Sequence, residues 1–136
     1  MMRWGRSMTI QATWKPSQGN SICQLTNGTA AWQADLDASA GGDTRYPNPH
    51  DLLDSALAAC TTLTLQLYAK RKGYPITEVH VSVGHEEANG TYTMQREVKV
   101  SGDLSPQILE DLLRVANRCP VHKTLSGQFS IQTSLA

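Results

Sequence analysis

Between Asp51 and Lys72 the chain contains neither proline nor glycine, and from Leu52 to Ala69 nearly every side chain is apolar or small. Asp54, Gln66 and a few Ser and Thr hydroxyls are the exceptions. Gly73 follows directly on Lys70, Arg71 and Lys72. That is a helix C-terminus: the cations meet the negative end of the dipole, and glycine takes the left-handed cap. The pattern predicts one long helix over 51–72. A helix buried along one face carries a polar stripe. This one lacks it, so it is expected to be enclosed on most sides. A chain of 136 residues makes one domain and has too little other material to enclose it. A second copy of the chain is expected to do so, as a homodimer.

The remaining composition excludes more than it identifies. Twelve basic and 12 acidic side chains balance, which argues against electrostatic binding to nucleic acid or an anionic membrane. A hydrophobic fraction of 40% is that of a folded chain, not a disordered one. No segment approaches the roughly 18 uninterrupted apolar residues of a membrane span. The lead Met1-Met2-Arg3-Trp4-Gly5-Arg6-Ser7-Met8 is basic but has no apolar run of the secretory kind. A cytoplasmic location is therefore expected, with residues 1–7 as a disordered lead to a single domain. In that compartment disulfides are usually transient and catalytic or redox-sensing. The chain has three cysteines, which cannot all pair within one molecule.

Around the long helix the pattern is one of hairpins. Residues 8–14 alternate with period two, Ser21 to Thr26 suits a second strand, Asn27-Gly28 is a turn dipeptide, and Trp32, Ala34 and Leu36 alternate in a third. Ser39 to Pro49 reads as a loop. Val79, Val81 and Val83 alternate with polar residues, Thr91 to Ser101 does the same, and Ala88-Asn89-Gly90 joins them as an antiparallel pair. Ser105-Pro106 marks a helix start, with Ile108, Leu112, Val115 and Cys119 along one face. Pro120 ends that helix and opens a short one through Leu125. Phe129 to Leu135 reads as a closing strand. Hairpin-linked strands without βαβ crossovers make an α+β domain.

Cys60 lies mid-way along the long helix, where a cysteine on an apolar face usually serves packing. Cys119 precedes Pro120, which favours the first helical position, so Cys119 is expected at the N-cap, where unpaired amides favour a thiolate. Cys23 sits in a short strand without charged neighbours and reads as packing. Cys119-x-x-His122 has ligand-like spacing, with His50 and Cys60 as further donors on paper. No second Cys/His pair completes a zinc pattern, and no metal or cofactor is assigned. His80 and His85 read as surface residues of a strand and a turn.

Two segments together resemble a known family. Asn48-Pro49-His50-Asp51-Leu52-Leu53-Asp54-Ser55-Ala56-Leu57-Ala58-Ala59-Cys60-Thr61 and Cys119-Pro120-Val121-His122-Lys123-Thr124-Leu125 look like the two cysteine motifs of the osmotically inducible and organic hydroperoxide resistance (OsmC/Ohr) proteins. Gly73-Tyr74-Pro75-Ile76-Thr77-Glu78-Val79 is similar to the turn after their central helix, and the cysteines stand 59 positions apart, close to the family spacing. The resemblance covers residues 8–136. It implies an intertwined homodimer with antiparallel sheets packed on a long central helix and active sites at the subunit interface. It implies a thiol peroxidase in which Cys60 attacks an organic hydroperoxide, becomes a sulfenic acid and condenses with Cys119. The disulfide is then reduced by a small dithiol or a lipoylated protein, in oxidative stress defence. Thiolate nucleophilicity and a nearby resolving thiol are what such chemistry requires.

The motif departs from the best-known members at the activating residues. His50 stands where they carry a glutamate, with Asp51 one position later. One residue turns a helical side chain by about 100°. The segment from Lys15 to Asn27 has no arginine where the hydroperoxide-resistance branch carries one, which leaves Arg45 as the nearest candidate. The resemblance thus points to the broader OsmC-like branch, with Cys60, Cys119, Asp51, Arg45 and His50 as candidate catalytic residues. Two other readings stand beside it: a non-enzymatic dimer that binds a small ligand or acts as a redox switch, and, more weakly, a metal-binding stress protein built on Cys119, His122 and His50.

Overall fold

The computed structural model describes residues 9–136, so the lead 1–7 and Met8 lie outside the described residues. Two compact units divide the chain, one up to Leu53 and one from Asp54 onward. The boundary falls in the first turns of the long helix.

The N-terminal unit holds a three-stranded antiparallel sheet in the order β1 (Gln11–Thr13), β2 (Cys23–Thr26), β3 (Ala31–Ala34). The register pairs Cys23 with Ala34 and Leu25 with Trp32. Asn27 closes the β2–β3 turn by accepting from the amides of Thr29 and Ala30 at 2.9 and 2.8 Å, an Asx-turn role its short carboxamide suits. Asp35, at 6% exposure, accepts from the Ser21 hydroxyl, the Leu36 amide and the Asp43 amide. The Ser21 hydrogen bond first, then the Asp43 amide, hold its carboxyl below the ordinary value against the opposing effect of burial.

Helix α1 runs Pro49–Lys72. Its start is a reciprocal cap: Asn48 Oδ1 accepts from the Asp51 amide at 2.8 Å, and Asp51 Oδ2 accepts from the Asn48 amide at 3.0 Å. Within this chain α1 buries one stripe only, Leu57, Thr61, Leu65 and Ala69. These recur every fourth residue, as one face of a 3.6-residue helix does. Leu63 and Leu67 on other faces are 63% and 44% exposed. Enclosure on most sides is therefore not achieved by the chain itself.

In the C-terminal unit α1 leads into the antiparallel hairpin β4 (Ile76–Ala88) and β5 (Thr91–Gly102). The turn needs positive φ at both central residues, and Asn89 (φ 54°) and Gly90 (φ 78°) supply it. Helix α2 (Pro106–Ala116) is capped by Ser105, whose hydroxyl accepts from the Ile108 amide at 3.2 Å. The core joins Leu65 and Ala69 of α1 to Leu112, Val115 and Ala116 of α2, flanked by Val79, Val98 and Val100 of the hairpin. Asp111 ties the elements by accepting from the phenols of Tyr68 and Tyr74 at 2.8 and 2.7 Å and from Arg114.

Two expectations need correction. Helix α2 stops at Ala116 with Asn117 as its C-cap, short of Cys119, which Pro120 itself keeps out of the helical region. Cys119 instead has extended backbone (φ −63°, ψ 146°) at the N-cap of α3 (Pro120–Ser126), as expected from Pro120. Phe129 to Leu135 forms no strand. Its apolar residues stay open, Phe129 at 62% and Ile131 at 86% exposure. Alternation provides a face, but a strand also needs a ladder partner.

Candidate active site

The C-terminal unit brings both motif cysteines to one place. Thr61, the residue after Cys60 on α1, puts its hydroxyl oxygen 3.6 Å from Cys119 Sγ. The Cys60 sulfur in turn accepts from the Val121 amide at 3.5 Å, in the first turn of α3. Each cysteine thus contacts the segment that carries the other. Cys60 is half-buried and Cys119 has no exposed surface. All three cysteines are free thiols, with Cys23 half-buried on β2.

Arg96 is the residue that sequence reasoning missed. From β5 its Nη1 donates to Thr61 Oγ1 at 3.0 Å and approaches Cys119 Sγ at 3.8 Å. Its Nη2 donates to Asn117 Oδ1 at 3.0 Å and to His122 Nδ1 at 2.9 Å. A guanidinium can only donate, so His122 Nδ1 accepts and the ring proton belongs on Nε2. Among the described residues no carboxylate pairs with Arg96; its partners are two neutral side-chain oxygens, an imidazole and a thiol. A signal was available in the sequence: Tyr92, Met94, Arg96, Val98 and Val100 share one face of β5, and Arg96 is the single charge in that row.

These neighbours set the state of Cys119. Burial pushes its thiol up, since a charge in low dielectric is unfavourable. Opposing that are the Thr61 hydroxyl, the His122 amide (which falls short of a full cap hydrogen bond), a hydrogen bond from Cys60 and the Arg96 charge. Their sum wins, and the Cys119 pKa lies below its ordinary value.

Arg96 and His122 also line a cavity of about 220 Å³, together with Leu57, Tyr92, Met94, Leu125 and Ser126. Leu57, Met94 and Leu125 give it apolar walls, while Arg96, His122, Tyr92 and Ser126 make the rest polar. Farther along the same faces, Asp54 accepts from the Tyr92 phenol at 2.7 Å and meets His85 Nδ1 at 2.5 Å. The His85 ring stacks on Tyr92 with centroids 4.7 Å apart. His85 is thus part of a network and not merely a surface residue of a turn.

The other candidate residues belong to the N-terminal unit, where each has a local setting. Arg45 is 77% exposed and pairs with Asp43 at 2.5 Å, which raises the arginine and lowers the carboxyl. Asp51 caps α1 through Asn48. His50 is exposed in the first turn of α1. Among the described residues no group of three His, Cys, Asp or Glu side chains is placed to hold a metal ion, and no helix is long and apolar enough to cross a membrane.

Comparison with known proteins bears on both fold and family. The structure is similar to an OsmC-like protein of Mycoplasma pneumoniae, with a TM-score of 0.73, 21% identity and coverage of 88% of this chain and 87% of that one. It is also similar to an organic hydroperoxide resistance protein OsmC of Legionella pneumophila (TM-score 0.64, 18% identity, 88% of each chain). A third likeness is to the organic hydroperoxide resistance protein OhrB of Bacillus subtilis (TM-score 0.57, 23% identity, 88% of this chain and 90% of that one). No curated protein matches the sequence. The family model for OsmC-like proteins matches residues 41–134, a span that contains both cysteine motifs and Arg96. With the α+β fold agreeing at this level, the chain belongs to the OsmC-like protein family.

Proposed function

We propose that this protein is a thiol peroxidase that reduces organic hydroperoxides to alcohols in oxidative stress defence. Cys60, the more accessible thiol, attacks the terminal peroxide oxygen and becomes a sulfenic acid. Cys119 condenses with it to a disulfide, and a small dithiol or a lipoylated protein restores both thiols. The observation that carries this reading is the mutual contact of the two motifs, Val121 amide to Cys60 and Thr61 hydroxyl to Cys119. The adjoining cavity offers the side chains of Leu57, Met94 and Leu125 to an alkyl or aryl group, contacts that hydrogen peroxide could not use. Two structural neighbours bear the name organic hydroperoxide resistance protein.

We read the working form as a homodimer. The exposed apolar residues Leu63 and Leu67 of α1 form the kind of surface that a second copy covers. A second functional reading, a dimer that binds a small apolar ligand and uses the thiols as a redox switch, draws on the same cavity.

Loss of cumene hydroperoxide in the presence of dithiothreitol separates the two. Turnover by the wild type that is abolished in Cys60→Ser supports the peroxidase. Equal rates in both leave the ligand-binding reading.

A further inference from the structure

The peroxidase reading leaves open which thiol carries the charge before substrate arrives. A nucleophile must be a thiolate, yet the accessible sulfur and the best-stabilised sulfur are different residues here. Cys60 is half-buried, and the groups at its sulfur are the Val121 amide at 3.5 Å and the Thr64 hydroxyl at 3.9 Å, neither of them charged. Cys119 has no exposed surface but faces the Arg96 guanidinium at 3.8 Å and the Thr61 hydroxyl at 3.6 Å. The charged or titratable groups around it are Arg96 of β5, Cys60 of α1 and His122 of α3.

The Thr61 hydroxyl has one proton, which goes to the Leu57 carbonyl at 2.7 Å. Rotation about its C–O bond can present that proton to a Cys119 thiolate instead. Arg96 holds the oxygen in place from the other side at 3.0 Å. Because no carboxylate among the described residues neutralises Arg96, a thiolate at Cys119 is the anion within its reach.

Resting on the peroxidase reading, we propose that the resting pair holds its single negative charge on Cys119 opposite Arg96, and that Cys119 is the base that activates Cys60. Cys60 passes its proton to Cys119 as its sulfur attacks the hydroperoxide. The O–O bond breaks, Cys60 becomes the sulfenic acid, and an alkoxide leaves. The alkoxide takes the same proton back from Cys119, giving the alcohol and regenerating the Cys119 thiolate. That thiolate attacks the sulfenic sulfur, the S–S bond forms, and hydroxide departs to be protonated by solvent. Two electrons have moved from the thiol pair to the peroxide. In this sequence Cys119 acts before disulfide formation as well as in it, and Arg96 is the counter-cation that makes it a base of suitable strength.

The test reads charge and chemistry separately. Ultraviolet absorbance of the thiolate, titrated against pH in reduced wild type, Cys60→Ser and Cys119→Ser, locates the charge. A transition below the ordinary cysteine range that persists in Cys60→Ser and disappears in Cys119→Ser is expected. Persistence in Cys119→Ser with loss in Cys60→Ser overturns the assignment. Stopped-flow mixing with one equivalent of tert-butyl hydroperoxide, with dimedone trapping of the sulfenic acid, then measures the first step. General-base loss predicts roughly a hundredfold slower Cys60 oxidation in Cys119→Ser. An unchanged first-step rate overturns the base role, because a merely resolving cysteine does not influence that step. Arg96→Gln serves as the independent variant should Cys119→Ser fold poorly. It should shift the thiolate transition of Cys60→Ser upward, and an unmoved transition counts against the pairing. If the wild type does not consume the peroxide at all, the peroxidase reading fails, while the titration still decides where the charge lies.

Discussion

Arg96 Nη1 donates to Thr61 Oγ1 over 3.0 Å, joining the inward face of β5 to the turn of α1 that carries Cys60. Thr61 has no exposed surface, so this polar contact is made where water cannot substitute for a lost partner. The first prediction concerns that hydroxyl. Thr61→Val preserves shape but leaves an Arg96 N–H without its acceptor, at a cost of about 1–3 kcal/mol. It should also move the Cys119 titration upward, since Thr61 is the largest of the influences holding it down. Thr61→Ser should behave as wild type. Urea denaturation and thiolate absorbance check the two effects.

A second prediction follows from linkage at Cys119. Its folded-state pKa lies below the ordinary 9.0, so folding favours the ionised form. The resulting stabilisation is complete above the unfolded value and is lost as pH falls through the folded-state pKa. Melting temperatures of reduced wild type and Cys119→Ser should therefore differ most at mildly alkaline pH and converge as the solution is acidified. A gap that widens on acidification would contradict the assigned direction.

Asp111 gives a third prediction at a site remote from the thiols. Hydrogen bonds from Tyr74, Tyr68 and Arg114 lower its carboxyl from 3.8 to about 2, and the carboxylate raises Tyr74 from 10.0 to about 12. Asp111 therefore supports the fold above about pH 4, and that support is lost as pH falls toward 2. Tyr74 contributes below pH 10, and its contribution is lost as pH rises toward 12. Asp111→Ala should lower the melting temperature at neutral pH and return the Tyr74 titration toward its ordinary value, which phenolate absorbance reads directly.

The fourth prediction concerns the core alone. Leu65 is fully buried between α1 and α2, and Leu65→Ala should cost roughly 2–5 kcal/mol. Chemical denaturation of the reduced protein measures it. The exposed Leu63 of the same helix should cost far less in the monomer when changed to alanine, and more if a second copy covers it.

Sequence alone determined the elements whose signals are local. The proline-free and glycine-free run gave α1 its length, Asn89-Gly90 its positive-φ turn, and Ser105 and Cys119 their capping positions before proline. Each depends on residues within a few positions of one another, so backbone sterics and capping suffice to read it. The two cysteine motifs, each a short run of neighbouring residues, were legible through resemblance to a family. Tertiary structure decided what depends on residues far apart in the chain. It set Arg96 against Thr61 and Cys119, gave His85 and Tyr92 to Asp54, and left Phe129 to Leu135 without a ladder partner. An arginine in an alternating strand looks like any solvated charge until packing decides which face turns inward. That choice was made by the apolar row of β5, which turned Arg96 inward with it. The placing of Arg96 beside Cys119 is thus a property of the fold, and the two cysteine motifs are a property of the sequence.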